Sequence, residues 1–252
     1  MAIKTLGVIP ARWGSTRFPG KPLHIIAGKP LLQHVWERCT RASALDAIII
    51  ATDDMRIAEV AFSWGAEVAL TSEKLRSGTD RAAAVAAKAR EFTYIINIQG
   101  DEPLTDPRLL NRLVQQLARD PTLEMITAAH PFADEAEAQS PHQVKVVLDA
   151  RKNALYFSRS CIPFHRETAA RVPLLRHQGI YGYTRDLLLR FVRWKASPLE
   201  RAESLEQLRA LENGVRIHVL VTTTGSPGVD TPEDAVALEK MLARTAPGSR
   251  RS

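Results

Sequence analysis

Residues 3–23 read IKTLGVIPARWGSTRFPGKPL and join a short apolar run to a basic loop that contains glycine. The run Ile3–Ile9 ends at Pro10 and is typical of a buried parallel strand. Strand-like and helix-like segments then alternate through the first half of the chain. The predicted strands are Ala47–Ala51, Glu67–Leu70 and Tyr94–Ile98, and the predicted helices are Pro30–Ala42, Ile57–Trp64 and Gly78–Arg90. Repeated β-α-β units of this kind predict an α/β fold with a mostly parallel sheet flanked by helices.

The pattern after about residue 120 is less regular, and the stretch Cys161–Arg176 has no clear pattern. Predicted strands are Met125–Ala129, Val144–Leu148, Ala154–Phe157, Gly179–Tyr183 and Val215–Val221, and predicted helices are Leu187–Trp194, Ser204–Leu211 and Pro232–Ala243. Because no linker separates two halves, we expect one domain over residues 1–244 with a smaller lobe inserted at about 131–200. The tail, residues 245–252, is rich in small and basic residues and is expected to fray.

The composition is that of a globular protein, with 45% hydrophobic and 25% charged residues over 252 positions. No run approaches the roughly 18 apolar residues of a membrane span, and the amino terminus lacks the features of a secretory signal. Cys39 and Cys161 have no metal-ligand spacing, so buried hydrophobic roles and a cytoplasmic location are expected. The net charge of +6 is scattered, which favours a small polyphosphate ligand over a nucleic acid.

The basic loop follows the carboxyl end of the first predicted strand, where open α/β sheets place their ligands. It carries Arg12, Arg17 and Lys21 together with two glycines and the hydroxyls of Ser15 and Thr16. Glycines let a backbone approach an anion, while cations, hydroxyls and N–H groups bind it. Neither a Walker loop nor a GxGxxG motif is present, so dinucleotide binding has no support. The loop is either a phosphate site or an exposed basic turn.

Two acidic segments are candidates for holding Mg²⁺, which prefers one or two carboxylates together with substrate phosphates. Asp101 lies in NIQGDEP, at the end of the fourth predicted strand, and is the first candidate; its alternative role is a hydrogen bond within the turn. In GVDTPED, Thr231 and Pro232 are typical of a helix N-cap and first turn. The cap leaves Asp230 unexplained, and Asp230 is the second candidate.

Two further segments open helices near the same predicted sheet edge. ATDD, which ends in Asp53 and Asp54, is interpreted as the cap of the next helix. SGTDR, residues 77–81, offers hydroxyls and a guanidinium to a nucleotide. An N-cap followed by an exposed Arg81 explains SGTDR equally well.

The second half gathers polar and aromatic groups that could bind a polar substrate. Arg159 suits a carboxylate because its planar fork binds both oxygens, and His177 suits sugar hydroxyls. Tyr181 and Tyr183 are more typical of packing. On the predicted helix LEQLR, Leu205 and Leu208 face the core, which leaves Glu206, Gln207 and Arg209 for water or a ligand.

The chain resembles the 3-deoxy-D-manno-octulosonate (Kdo) cytidylyltransferase family. The resemblance rests on IPARWGSTRFPGKPL, ATDD, SGTDR, NIQGDEP, VKVVLD, ALYFSR, IPF, HQGIYGY, LEQLR and GVDTPED, in the family's order from about Gly7 to Asp234. It implies a Rossmann-like, GT-A-like nucleotidyltransferase fold whose inserted lobe serves dimerisation and sugar binding. It also implies a cytoplasmic homodimer that uses Mg²⁺ to make CMP-Kdo and diphosphate from CTP and Kdo for lipopolysaccharide synthesis, without nucleic acid or membrane insertion.

The resemblance also implies roles for individual residues. The catalytic set is Arg12, Lys21, Asp101 and Asp230, of which Asp101 and Asp230 bind the metal. The nucleotide set is Pro10, Ala11, Arg12, Ser15, Lys21, Ser77, Gly78, Thr79, Arg81 and Gln99. The sugar set is Arg159, His177, Tyr181, Glu206 and Gln207.

Three positions depart from the family pattern: Phe18 and Gln178 stand where Leu is usual, and Ser140-Pro141-His142 stands where NPN is usual. Gln178 and His142 leave open a preference for an amino-substituted Kdo. Two other functions are possible: a cytidylyltransferase for another acidic sugar or a polyol phosphate, and a catalytically silent nucleotide-sensing module.

Overall fold

The structure is a computed structural model that describes residues 3–14, 18–167 and 171–245. Ser15, Thr16 and Arg17, and the predicted tail beyond residue 245, therefore lie outside the described residues. The strands are β1 (Thr5–Ala11), β2 (Ile25–Ile26), β3 (Lys29–Pro30), β4 (Ala47–Thr52), β5 (Glu67–Leu70), β6 (Tyr94–Asn97), β7 (Met125–Pro131), β8 (Lys145–Leu148), β9 (Ala154–Ser158), β10 (Leu175–Thr184) and β11 (Ile217–Val221). The helices are α1 (Leu31–Cys39), α2 (Met55–Ser63), α3 (Gly78–Lys88), α4 (Pro107–Arg119), α5 (Arg185–Phe191), α6 (Pro198–Glu203), α7 (Gln207–Glu212) and α8 (Pro232–Thr245).

Chain contacts divide the described residues into two compact units. The amino-terminal unit contains Leu6–Ala89, Asn97–Asn111 and the described residues from Ser226 onward. The central unit contains the described residues up to Thr5, then Arg90–Ile96 and Arg112–Gly225. The predicted lobe at about 131–200 falls wholly within the central unit, and the single domain ending at residue 244 stays a prediction.

The amino-terminal unit is built on parallel strands. β1 pairs with β4 from Leu6 opposite Ala47 to Ala11 opposite Thr52, and β4 pairs in parallel with β5. On the other side of β1, the N–H of Ile98 donates to the carbonyl of Val8 at 2.9 Å. Because parallel strands end at the same edge, the segments that follow β1, β4 and β6 leave the sheet together.

The central unit is a mixed sheet. β7 pairs in parallel with β11 and antiparallel with β10, β8 pairs antiparallel with both β10 and β9, and β9 has only β8 as a partner strand among the described residues. The register of β10 against β7 shifts between Gln178 and Tyr181. This β-bulge lies within the HQGIYGY segment and changes the direction of the side chains around it.

The predicted α/β class with a mostly parallel, helix-flanked sheet is confirmed. The predicted strand Glu67–Leu70 has the same bounds in the structure, and most other elements differ by a few residues at their ends. The helix predicted over Ser204–Leu211 starts later, at Gln207 of α7, because Ser204 takes a left-handed conformation with φ of 51° that ends α6, a helix that was not predicted. Within the described residues, none of the helices has the length and apolar composition needed to cross a bilayer.

Candidate active site

Lys21 contacts two acids, Asp101 and Asp230, that lie far from it and from each other in the sequence. Its ammonium Nζ lies 2.7 Å from Oδ2 of Asp101 and 3.3 Å from Oδ1 of Asp230. The Lys21 side chain is 13% exposed, against 31% for Asp101 and 54% for Asp230. The amino-terminal unit therefore holds one cation and two carboxylates in a single, partly open cluster, as the predicted convergence of Asp101 and Asp230 requires.

The segment before Lys21 is anchored in the core. Phe18 is buried with Ile26, Leu31, Val229 and Leu238, in a cluster that also contains Ala235. Gly20 takes a left-handed conformation with φ of 70°, and a short 3-10 helix then starts at Lys21. The apolar anchor thus fixes where the Lys21 side chain starts, and the larger Phe18 fills an interior position rather than contacting the acids.

Gly100 allows the turn that carries Asp101 to approach the end of β1. A Cβ atom on Gly100 would lie 2.6 Å from the backbone carbonyl oxygen of Pro10, a distance that only a backbone shift relieves. The close approach explains why a glycine precedes Asp101. Backbone approach of this kind is one of the uses of glycine in proteins.

We expect Gly100→Ala to lower the free energy of unfolding by about 1–3 kcal/mol, since overpacking at a rigid backbone contact costs about that much. Urea unfolding measures this change. Gly14→Ala is the matched control, because no atom lies within 4 Å of a Cβ built at Gly14. Equal stability of the Gly100→Ala variant and the parent would refute the close approach.

Asp230 is held by two contacts of its own turn. The N–H of Val229 donates to the carbonyl of Asp101 at 2.9 Å, which ties this turn to the Asp101 segment. The Asp234 carboxylate accepts the N–H groups of Asp230 and Thr231, each at 2.9 Å, and the Thr231 hydroxyl accepts the N–H of Asp234. Burial alone would raise the pKa of Asp234, but the backbone donors outweigh it and lower that pKa. The predicted cap at Thr231 is confirmed.

Arg12 and the start of α3 lie at the same edge of the parallel strands. Arg12 is exposed, and its guanidinium donates to the carbonyl of Arg76 at 3.2 Å. Ser77 caps α3 in a reciprocal capping box with Asp80. A Cβ on Gly78 would lie 3.3 Å from the ring of Pro10, so this helix start packs on the end of β1. The prediction that Asp54 caps the following helix is confirmed at α2.

Arg81 has a structural position. Its side chain is fully buried, pairs with Asp53 and donates to the Thr71 hydroxyl at 2.6 Å. The alternative of an exposed Arg81 is therefore wrong. Any effect of Arg81 on a nucleotide would act through the loops that it holds; the roles of Ala11, Thr79 and Gln99 in nucleotide binding stay predictions.

His177 lies in an aromatic row of the central unit. Its ring centroid is 5.0 Å from that of Phe157 and 5.3 Å from that of Tyr181, which in turn stacks on Tyr183 at 5.9 Å. The Thr127 hydroxyl contacts the carbonyl of Ile180 at 2.7 Å and Nε2 of His177 at 3.0 Å. A hydroxyl has one proton to donate, so when it donates to the carbonyl it accepts from Nε2–H. Nδ1 of His177 is then an acceptor.

Burial lowers the pKa of His177 to about 3, so its imidazole is neutral throughout the physiological range. The unfolded chain protonates this group near its ordinary pKa of about 6.5. The contribution of His177 to stability is therefore complete above about pH 6.5 and falls as the pH drops towards 3. We expect His177→Gln to flatten the decrease of the urea midpoint between pH 6.5 and 4 relative to the parent. His130 and His218, whose pKa values are also lowered by burial, keep their contribution in both proteins. Parallel curves for the two proteins would contradict the assignment.

Tyr181 places a polar atom in the interior without a partner. Its buried phenol oxygen has no hydrogen-bond partner among the described residues. Burial, Tyr183 and the carboxylate of Glu206 raise the pKa of Tyr181 well above its ordinary value. The structure thus brings His177, Tyr181 and Glu206 together. Gln207 and Arg209, which were expected to be left for water or a ligand, are both buried, and Arg209 forms an ion pair with Glu200.

Arg159 is held mainly by backbone carbonyls. Its Nε donates to the carbonyl of Glu203 at 2.7 Å, and its terminal nitrogens donate to those of Pro141 at 3.0 Å and Ser204 at 3.4 Å. A guanidinium has five N–H groups, so two remain without an acceptor among the described residues.

Gln178 is anchored away from the His177 side of the strand. Its amide donates to the Thr222 hydroxyl at 2.8 Å, and neighbouring strand residues point to opposite faces. This contact explains Gln178 by packing and gives no support to a role in sugar preference. Of the two cysteines, Cys39 is buried as expected, whereas Cys161 is half-buried.

Comparisons with known proteins agree with this geometry. A family model described as cytidylyltransferase matches residues 6–217. The 3-deoxy-manno-octulosonate cytidylyltransferases of Syntrophotalea carbinolica and Solibacter usitatus are 49% and 50% identical to this chain; the alignments cover 93% and 96% of the chain and 97% and 96% of the relatives. A solved structure of CMP:2-keto-3-deoxy-manno-octonic acid synthetase complexed with CTP has a TM-score of 0.92 at 42% identity, covering 96% of this chain and 99% of that one. The 4-diphosphocytidyl-2C-methyl-D-erythritol synthase of Anaerococcus prevotii, with a TM-score of 0.65 at 12% identity, shares the fold alone. The chain belongs to the cytidylyltransferase family, among the 3-deoxy-manno-octulosonate cytidylyltransferases.

Proposed function

We propose that this chain transfers the cytidylyl group of CTP to the anomeric hydroxyl of Kdo and releases diphosphate. The observation that carries the proposal is the cluster of Lys21, Asp101 and Asp230 at the carboxyl edge of the parallel strands. The relatives' names and the CTP complex of the similar structure point to the same reaction. A nucleotide-sensing module would have no need for two acids and a lysine at one point.

The donor set of the cluster fits a divalent cation such as Mg²⁺. Asp101 and Asp230 provide carboxylate oxygens and are partly exposed, so phosphates and water can complete the coordination. Among the described residues, no group of three or more His, Cys, Asp or Glu side chains could hold a metal by itself. When bound, the cation would neutralise the triphosphate and lower the pKa of the attacking hydroxyl.

Lys21 and Arg12 act on the triphosphate in this account. With a cation held by the two acids, the Lys21 ammonium would be available to bind the α-phosphate, where charge develops during in-line attack. Arg12 is exposed and binds the departing β- and γ-phosphates with its planar guanidinium. Ser15 and the start of α3 bind the rest of the nucleotide. No covalent intermediate is required.

The central unit binds the sugar. Arg159 offers its two remaining N–H groups to the Kdo carboxylate. His177, neutral at physiological pH, accepts through Nδ1, and Tyr181, Glu206 and Gln207 bind hydroxyls. The buried phenol of Tyr181, which has no partner among the described residues, supports this assignment, because buried polar groups are normally hydrogen-bonded.

Diphosphate release in the presence of CTP, Mg²⁺ and Kdo tests the proposal. The acceptor panel contains Kdo, an amino-substituted Kdo, a sialic acid and a polyol phosphate. The proposal is supported if Kdo gives the highest kcat/KM for diphosphate release. If another acceptor gives a higher kcat/KM, that acceptor is the substrate instead of Kdo. Binding of CTP with no release for any acceptor would favour the nucleotide-sensing module.

The homodimer is a proposal that rests on the resemblance and on exposed apolar side chains of the central unit. Phe164 is 89% exposed and Val172 is 55% exposed, and the N–H of Val172 approaches the ring of His165, the neighbour of Phe164. We expect light scattering to give twice the mass of the 27.9 kDa chain. A monomer mass at micromolar concentration would contradict it. The cytoplasmic location stays a prediction.

A further inference from the structure

Lys145 is a fully buried lysine whose ammonium binds only backbone carbonyls. Its Nζ donates to the carbonyl of Gln143 at 2.6 Å, to that of Ser140 at 2.9 Å and to that of Arg159. An ammonium has three N–H groups, so all of them are used. The Glu203 carboxylate favours the charged form of Lys145 but forms none of these three hydrogen bonds.

Burial of the Lys145 ammonium costs free energy, so its presence calls for an explanation. Burying a charge away from water is unfavourable unless it is paired and hydrogen-bonded, and burial lowers the pKa of Lys145. An apolar side chain of the same length would avoid that cost but would leave three carbonyls without this donor. Lys145 therefore fixes the backbone at three points, and what those points carry shows what the lysine does.

The first two carbonyls belong to the turn Ser140–Gln143. The next residue, Val144, accepts the backbone N–H of His177 at 2.9 Å. Lys145 closes this turn from within, and the guanidinium of Arg159 holds the same turn at the carbonyl of Pro141. The turn is thus fixed by two cations beside the strand that carries His177.

The third carbonyl belongs to Arg159 itself. The backbone N–H of Arg159 donates to Oε2 of Glu203 at 2.9 Å, and its guanidinium binds the carbonyls of Glu203 and Ser204. Ser204 is the left-handed residue that ends α6, just before Glu206 and Gln207. Arg159 is held at its N–H by Glu203 and at its carbonyl by Lys145.

We propose that Lys145 is a positioning residue for sugar binding, which fixes the backbone of Arg159 and the turn Ser140–Gln143. Through them it sets the direction of the Arg159 guanidinium relative to His177 and the Glu203–Ser204 turn. The inference rests on the proposed function, in which Arg159 binds the sugar carboxylate.

The test compares Lys145→Met, which keeps the length of the side chain, with the parent. We expect the KM for Kdo to rise about tenfold or more, because small misplacements of binding groups have large effects, while the KM for CTP changes by less than about twofold. Leu187→Ala, a cavity variant in α5 of the same unit, is the control for simple loss of stability and should show no such split. Equal changes in the two KM values, or no change, would overturn the proposal.

A double-mutant cycle separates positioning from an independent role. If Lys145 acts through Arg159, the combined loss in Lys145→Met/Arg159→Lys is smaller than the product of the two single losses. Losses that multiply would overturn the proposal. If Lys145→Met does not fold, the KM values for Kdo and CTP are compared in Lys145→Gln, which keeps a hydrogen-bond donor. If neither variant folds, Lys145 serves the fold alone and the proposal fails.

The activity of the parent enzyme tests the proposed function separately from the role of Lys145. A parent that releases no diphosphate with CTP and Kdo refutes the function. An active parent whose Lys145 variants show no Kdo-specific change refutes only the positioning role.

Discussion

Lys21→Ala is expected to lower kcat roughly 100- to 1,000-fold, the usual effect of removing a group that stabilises transition-state charge. The reason is its place between Asp101 and Asp230, where its ammonium would face a triphosphate held through the same two acids. The free energy of unfolding should change by about 1 kcal/mol or less, because the ion pairs are partly exposed. Steady-state diphosphate release and urea unfolding measure the two effects.

Lys29→Ala is the matched control for the Lys21 variant. Lys29 belongs to the same unit and also forms an ion pair, with Glu37 at 2.7 Å, but it lies outside the acid cluster. Its removal should leave kcat unchanged within experimental error. A Lys21→Ala enzyme with near-normal turnover would remove Lys21 from the mechanism.

Asp101→Asn and Asp230→Asn should each raise the Mg²⁺ concentration required for half-maximal activity. Loss of a residue that merely orients a metal ligand lowers metal affinity by about 10–100-fold, so loss of a ligand should cost at least about tenfold. We expect the larger shift for Asp101, which is the less exposed of the two acids. Activity measured against Mg²⁺ at saturating CTP gives the shift.

Asp54→Asn controls for the loss of a carboxylate in the same unit. Asp54 caps α2, and asparagine caps helices about as well as aspartate. Its Mg²⁺ titration should match that of the parent. If Asp101→Asn and Asp230→Asn also keep the parental titration, these acids do not bind the metal.

The sequence predicted the elements and proposed Asp101 and Asp230 as separate candidates from local signals, whereas the contact of both with Lys21 joins distant parts of the chain. Hydrophobic runs ending in polar residues located the strand ends, and Asp101 follows one of them. Asp230 was predicted because the cap at Thr231 left it without a structural role. The helix α4 was missed although Leu109, Leu110, Leu113 and Leu117 have helical spacing after Asp106, whose carboxylate accepts the N–H of Arg108.

The remaining features depend on contacts between distant parts of the chain. Arg81 is buried because Asp53 and Thr71 lie beside it, and neither is within its own helix. Arg209 is buried because α6 supplies Glu200 as its partner. Lys145 lies in the VKVVLD segment, and no spacing rule predicts that three carbonyls surround its ammonium. Such pairings follow from tertiary packing, which single-sequence periodicity does not encode.

A crystal structure of the parent with CTP and Mn²⁺, in which the anomalous signal locates the metal, tests the central claim most directly. We predict a peak at roughly 2.0–2.3 Å from carboxylate oxygens of both Asp101 and Asp230 and from phosphate oxygens, with Lys21 turned to the α-phosphate. A metal bound elsewhere, or a triphosphate that leaves Lys21 between the two acids, would contradict the account.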